Sequence, residues 1–244
     1  MNKVVGRVRK ALREAGDAAA ADKGRRFFKE EVRLLGVSVP ATKRIAAEYF
    51  ESIKDEPKET LFSLCEELWR SDMMEETWVI CEWAYAKRDA YTPGDFAVFA
   101  SWLEKYVDNW GTCDTLCNHS IGHLLESFPE QAAKTSAWTR SPCRWLRRGA
   151  AVSYIIPARK GLFADTIFRT ADALIGDGDD LVRKGYGWAL KACSEAFPDR
   201  VYDFVVARHA VMPRTAYRYA LEKMPADLRK KAMALPGPKK RGNG

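Results

Sequence analysis

Apolar residues recur every three or four positions along almost the whole chain, whereas apolar–polar alternation lasting five positions or more is hard to find. Leu61, Leu64, Cys65 and Leu68 form one such stripe, and Phe96, Phe99, Trp102, Leu103 and Tyr106 form another. Each stripe gives a helix one apolar face. Proline punctuates the pattern: Pro57, Pro93 and Pro129 are each 36 residues apart, and Pro198 follows 69 residues later, close to two further intervals. Proline is tolerated in the first helical turn, so each is read as opening the first helix of a pair. The predicted pairs are 57–70 with 74–89, 93–108 with 110–126, 129–139 with 142–157, 161–175 with 179–196, and 198–209 with 213–224, preceded by helices over 2–15, 22–35 and 41–54. A helix pair every 33 to 37 residues predicts an all-α fold: an α-α superhelix, or solenoid, of HEAT-like helix pairs with a basic concave groove. One repeat domain is expected over 1–235, followed by a basic tail over 236–244 that is expected to be disordered.

Composition narrows the class. Hydrophobic residues make up 47% and charged residues 30% of the 244 residues, as in ordinary globular proteins. Charged residues interrupt every apolar stretch well short of the roughly 20 residues a membrane span requires. The first 16 residues lack the apolar core of a signal peptide, so a cytoplasmic protein, nucleoid-associated in a prokaryote, is expected. Cys65, Cys81, Cys113, Cys117, Cys143 and Cys193 fall at apolar positions of the helical pattern and read as reduced core thiols. The formal net charge of +7 favours a polyanionic partner without requiring one.

Second helices of a helix-pair solenoid usually line its concave surface, where extended polymers bind. On these helices stand Trp110 and Asp114, four residues apart and so on one face. Arg147 and Arg148 stand on the next, then Lys184, Trp188 and Lys191, then Arg214 and Arg218. Arg148 lies 34 and Trp188 74 residues beyond Asp114, about one and two repeat periods, so these groups are expected to share one groove. Cations spaced along it would neutralise successive phosphates, while aromatic faces between them would contact sugar or base. A carboxylate there weakens attraction for DNA, so Asp114 points either to chemistry or to a structural ion pair.

Five stretches carry a family likeness: FFKEEVRLLGVSVP (27–40), NWGTCD (109–114), WLRRGAAVSY (145–154), RKGYGWALK (183–191) and MPRTAYRYALEKM (212–224). Through them nearly the whole chain resembles the AlkD-type alkylpurine DNA glycosylases, which are built from HEAT-like repeats. The resemblance implies that Trp110, Asp114 and Trp188 surround the deoxyribose of a damaged nucleotide and that Arg148, rather than Arg147, contacts the backbone. It also implies a substrate, alkylated purines in double-stranded DNA, whose lesion base is not flipped into a pocket. Two positions depart from the family pattern: Gly111 stands where a second acidic residue is frequent, and Phe27 stands where a tyrosine would offer a polar contact to DNA.

N3- and N7-alkylated purines are already cationic, so the base leaves without protonation and no general acid is needed. Departure builds positive charge on the sugar. On this reading Asp114 stabilises that charge and orients the attacking water. Trp110 and Trp188 present their ring faces to it, worth up to ~2 kcal/mol each when desolvated. A monofunctional enzyme without lyase activity, acting as a monomer with no cofactor, is expected. A catalytically inactive HEAT-like protein binding DNA or a protein partner is the alternative. A nuclease is disfavoured, because no carboxylate cluster suited to Mg²⁺ is evident. No Walker loop, GxGxxG or HExxH occurs. Cys113, Cys117, His119 and His123 hint at zinc, but at 100° per residue one regular helix cannot aim all four at one ion, and no metal is expected.

Overall fold

In the computed structural model, residues 2–238 are described. Their regular secondary structure is helical. The one β feature among them is an isolated parallel bridge between Arg33 and Met73. The chain divides into two compact units, up to Ser120 and from Ile121 onward.

The first unit contains α1 (Lys3–Glu14), α2 (Ala18–Arg25), α3 (Val39–Phe50), α4 (Lys58–Trp69), α5 (Met74–Ala86), α6 (Asp95–Lys105) and α7 (Trp110–Leu116). Here α1 packs on α3, α3 on α5 and α5 on α7, while α4 lies against α5. The predicted stripes form the core: Leu61, Cys65, Leu68, Phe99, Trp102 and Leu103 are fully buried. Polar links hold the helices in register. The Lys58 ammonium and Asp95 carboxylate pair at 2.7 Å with both side chains buried, and the Trp83 indole N–H donates to the Ala46 carbonyl at 2.8 Å.

The predicted helix over 22–35 is not present. Instead α2 starts earlier, capped by Asp17, and ends at Arg25, and residues 29–38 run without helix. Two features on other elements explain the change. The Glu75 carboxylate accepts hydrogen bonds from the backbone N–H groups of Leu35, Gly36 and Val37 at 2.8–3.1 Å, diverting donors a helix would use. Gly36 sits at φ +84°, where a Cβ would stand 2.0 Å from the Asp17 carbonyl oxygen, so the approach of this segment to α2 requires glycine.

The second unit contains α8 (Gly122–Ser127), α9 (Ala132–Trp138), α10 (Arg144–Val152), α11 (Ile155–Arg159), α12 (Ala164–Leu174), α13 (Asp180–Cys193), α14 (Pro198–Ala207), α15 (Arg214–Ala220) and α16 (Ala226–Met233). Here α10 packs on α13 and α13 on α15. The last contact is close because Gly187 faces Ala216 and Tyr219. Pro57 caps α4, Pro198 opens α14 and Pro129 opens the 3-10 turn before α9, while Pro93 stands two residues ahead of α6.

Three further departures from the sequence reading have local causes. The predicted helix over 110–126 passes through a π turn, Cys117–Ile121, so a fixed 100° per residue does not hold from Cys113 to His123. Among the described residues no group of three or more His, Cys, Asp or Glu could hold a metal ion. The predicted helix over 142–157 is broken between α10 and α11, where Pro157 has no N–H to give the Ser153 carbonyl one turn back. Finally, α16 follows the last predicted helix, inside the domain expected over 1–235 but where the sequence reading placed no helix, held by the Tyr217 hydroxyl donating to the Ala232 carbonyl at 2.9 Å. Packing continues beyond it, with the His209 Nδ1 2.9 Å from the Pro236 carbonyl oxygen. Of the expected disordered tail, 239–244 lie outside the described residues. Among the described residues no helix is long and apolar enough to cross a membrane. None of the six cysteines is in a disulfide; five are buried and Cys143 is half-exposed.

Candidate functional site

Trp110 is the first residue of α7, and Asn109 fixes its position. The Asn109 side-chain oxygen caps the helix by accepting from the Thr112 N–H at 3.0 Å. Its amide donates to the Asp108 carboxylate at 2.7 Å. One turn into the helix, the Thr112 and Thr77 hydroxyls meet at 3.0 Å and pin α7 to α5. The Trp110 ring stacks on Phe28, with centroids 5.1 Å apart and planes at 24°. Asp114 follows one turn later and, like Trp110, is half-exposed. Burial raises the Asp108 carboxyl above its usual range, the Asn109 hydrogen bond opposes this, and the charges of Asp72 and Glu30 add to the rise.

Gly111 fits this packing. A Cβ there would lie 2.8 Å from the Met74 terminal methyl and 3.6 Å from the Phe28 ring. Where the resemblance implies a frequent second acidic residue, this chain has apolar side chains against the backbone.

Beside Trp110 opens a cavity of about 360 Å³, whose walls include Phe27, Phe28, Val39, Met74 and Trp78. Phe27 is 72% and Val39 47% exposed, both unusually bare for large apolar side chains. Glu75 also lines the cavity, fully buried and clamped by the three N–H groups of 35–37. Sequence reasoning named Phe27 and Trp110 but missed Phe28, Trp78 and Glu75. The adjacent phenylalanines carried a signal, whereas Glu75 reads in sequence as an ordinary acidic residue in a first helical turn. A second cavity in this unit, about 580 Å³, is cationic, with Arg9, Lys10, Arg13, Arg33 and Arg70 against Glu14, Glu67 and Glu76.

In the second unit the expected DNA contacts occupy varied surroundings. Arg148 is 5% exposed and donates to the Leu181 carbonyl, and its side chain packs against Gly185. Arg147 pairs with Asp177 at 2.7 Å and donates to the Ser141 and Pro142 carbonyls. Trp188 is half-exposed on α13. Lys184 pairs with Asp180 at 2.8 Å, and Lys191 pairs with Glu222 at 3.1 Å while standing over the Tyr219 ring. Arg214 donates to the Met233 and Leu235 carbonyls, tying α15 to the end of α16. Arg218 is exposed and has no ion pair among the described residues.

An all-α chain of packed helix pairs, with an aromatic–carboxylate turn at the head of α7 and cations on α10, α13 and α15, belongs to a class that comparison with known proteins identifies. The sequence profile of the DNA alkylation repair enzymes matches residues 8–224, and the chain belongs to that family. Its role is therefore in the repair of alkylated DNA. A solved structure described as a predicted DNA alkylation repair enzyme from Enterococcus faecalis shares the fold, with a TM-score of 0.78 at 15% identity, over 86% of this chain and 97% of that one. No curated protein sequence matches the chain.

Proposed function

We propose that the chain is a monofunctional DNA glycosylase that hydrolyses the N-glycosidic bond of cationic N3- or N7-alkylated purines in duplex DNA. The observation that carries this reading is Asp114, half-exposed one turn from Trp110, in a chain of the DNA alkylation repair family. As the bond to the base breaks, its electron pair leaves with the purine and neutralises it, while positive charge grows at C1′ and the ring oxygen. The Asp114 carboxylate stabilises that charge, and such a preorganised group is worth on the order of 10²–10³ in rate. Water then bonds to C1′ and gives up a proton, with Asp114 orienting it. The Trp110 and Trp188 rings act on the same cation. No lysine nucleophile is invoked, so the sugar–phosphate backbone stays intact.

Arg148 is proposed to serve the flanking phosphate. Its bond to the Leu181 carbonyl gives it a structural task as well. Phe27, Lys184, Lys191, Arg214 and Arg218 are proposed to contact DNA, with Arg147 held by Asp177 until phosphate competes for it.

The test is release of 7-methylguanine from an alkylated duplex. Wild type should release it without cutting the strand, and Asp114→Asn should lower the rate at least 10²-fold. No release by wild type would sink the enzyme reading. Undiminished release by the variant would sink only the role of Asp114.

A further inference from the structure

The cationic cavity of about 580 Å³ in the first unit takes no part in the reaction proposed above. It shares no lining residue with the cavity beside Trp110. Residues 33–36, which carry no helix, alternate between the two: Arg33 and Leu35 line the cationic cavity, Leu34 and Gly36 the aromatic one. The two therefore stand back to back across this segment. On the cationic side five cations meet three carboxylates, and the pairing is uneven. Arg9 pairs with the buried Glu76 at 2.9 Å and donates to the Glu67 carbonyl at 2.8 Å, while Lys10 lies 3.7 Å from Glu14. The third carboxylate, Glu67, accepts from the Asn2 backbone N–H at 3.2 Å. Arg13, Arg33 and Arg70 pair with no carboxylate among the described residues; Arg33 gives one N–H to the Ser71 carbonyl at 3.5 Å. These three guanidiniums come from the last turn of α1, the segment before α3 and the end of α4, and they line one concave space. Each keeps most of its five N–H donors for another acceptor. Ser71 adds a neutral donor, because its hydroxyl oxygen accepts from the Met73 N–H at 3.2 Å and its own proton remains to be given.

We propose that this cavity is a phosphate site, held by Arg13, Arg33 and Arg70 with the Ser71 hydroxyl, and that its ligand is a compact polyphosphate. Guanidinium forks match phosphate oxygens two at a time. One carboxylate would occupy a single fork, whereas three forks from three segments suit a multiply charged anion. The volume lies within the ~300–1,000 Å³ of small-molecule sites and holds more than one phosphate group. The backbone of a duplex spreads its charges along an axis and is met by cations in a row, as on α10, α13 and α15, rather than by cations gathered round a hollow. Phosphate chemistry has two sources here, a free polyphosphate such as the chain of a nucleoside triphosphate and the backbone of bound DNA, and the concave arrangement favours the first. The site does not depend on the glycosylase reading.

The test titrates the full chain with sodium tripolyphosphate at fixed salt by calorimetry. Wild type should bind one equivalent. The double variant Arg13→Gln, Arg70→Gln should weaken that binding at least tenfold. The double variant Arg44→Gln, Lys105→Gln removes the same charge from exposed positions away from the cavity and should change it less than twofold. Unchanged helical circular dichroism checks that both variants are folded. A salt series of duplex binding separates the sources. If the ligand is a free polyphosphate, the slope of log affinity against log salt is the same in the Arg13, Arg70 variant and in the control; a slope smaller by about 1 or more in the former alone would assign the site to a backbone phosphate of bound DNA. Absence of saturable tripolyphosphate binding, or equal losses in the two double variants, would overturn the site, and so would an effect on duplex binding without one on tripolyphosphate.

Discussion

Arg148 and His119 show how far a side chain's surroundings, rather than its type, decide what a substitution does. Arg148 reads in sequence as a phosphate contact, yet its guanidinium is buried and bonded to the Leu181 carbonyl. Arg148→Ala is therefore expected to destabilise the protein by about 2 kcal/mol through the stranded carbonyl and lost packing, measured by urea unfolding, besides weakening DNA binding. Binding loss with unchanged stability would show that the buried contact contributes nothing. His119, on the π turn against the Tyr85 ring, gives a pH prediction. Burial lowers its pKa below 6.5, with Glu82 opposing and Lys43 reinforcing the shift. The folded state thus binds this proton less well than the unfolded chain. The stability it contributes is complete above pH 6.5 and is lost as pH falls through the lowered folded value. Unfolding midpoints should drop over that window in wild type and drop less in His119→Gln. Equal slopes would refute the assignment.

The helices themselves were legible wherever one element's own residues decide its structure. The stripe of 61–68 is buried as predicted, and so is that of 96–106 apart from the half-exposed Tyr106, because 3.6-residue periodicity is local information. Failure came where a partner remote in sequence decides: 22–35 has helical apolar spacing, but the N–H groups of 35–37 are claimed by Glu75, 38 to 40 residues away. The site divides the same way. Spacing alone puts Trp110 and Asp114 on one face and only the family likeness singles them out, whereas the Phe28–Trp110 stack joins residues far apart in sequence and carries no periodic signal. Two substitutions test these element contacts. Gly187→Ala would bring a Cβ within 2.8 Å of the Ala216 carbonyl oxygen and of the Tyr219 Cβ, forcing α13 and α15 apart. It should cost about 1–3 kcal/mol, read as a lowered Tm. Glu75→Ala leaves the N–H groups of Leu35, Gly36 and Val37 without their acceptor and should destabilise by at least about 2 kcal/mol, with protease cleavage appearing between 26 and 38. Cleavage elsewhere would mean that this segment is held by other contacts.

Across the whole molecule the +7 charge overstates the cations ready for phosphate, since Arg147, Lys184 and Lys191 are engaged by carboxylates. Among the described residues Arg218 has no such competitor. Arg218→Gln should weaken duplex binding uniformly across sequences and reduce the slope of log affinity against log salt by about 1, while Arg147→Gln should change that slope less. Equal effects in a filter-binding salt series would show that the ion pairs do not compete with DNA. The cysteines bear on the chemical setting in which such a protein works. Alkylating agents attack thiolates as readily as purine nitrogens, and a repair protein shares its compartment with the agent. Burial pushes the Cys65 and Cys81 thiols far up and the Cys193 thiol up to about 11, which leaves almost no thiolate at neutral pH. Titrated with a thiol reagent, the folded protein should show one fast-reacting group, Cys143, and five slow ones. The sheltered thiols would make the protein a poor target for the reagent whose damage its family repairs.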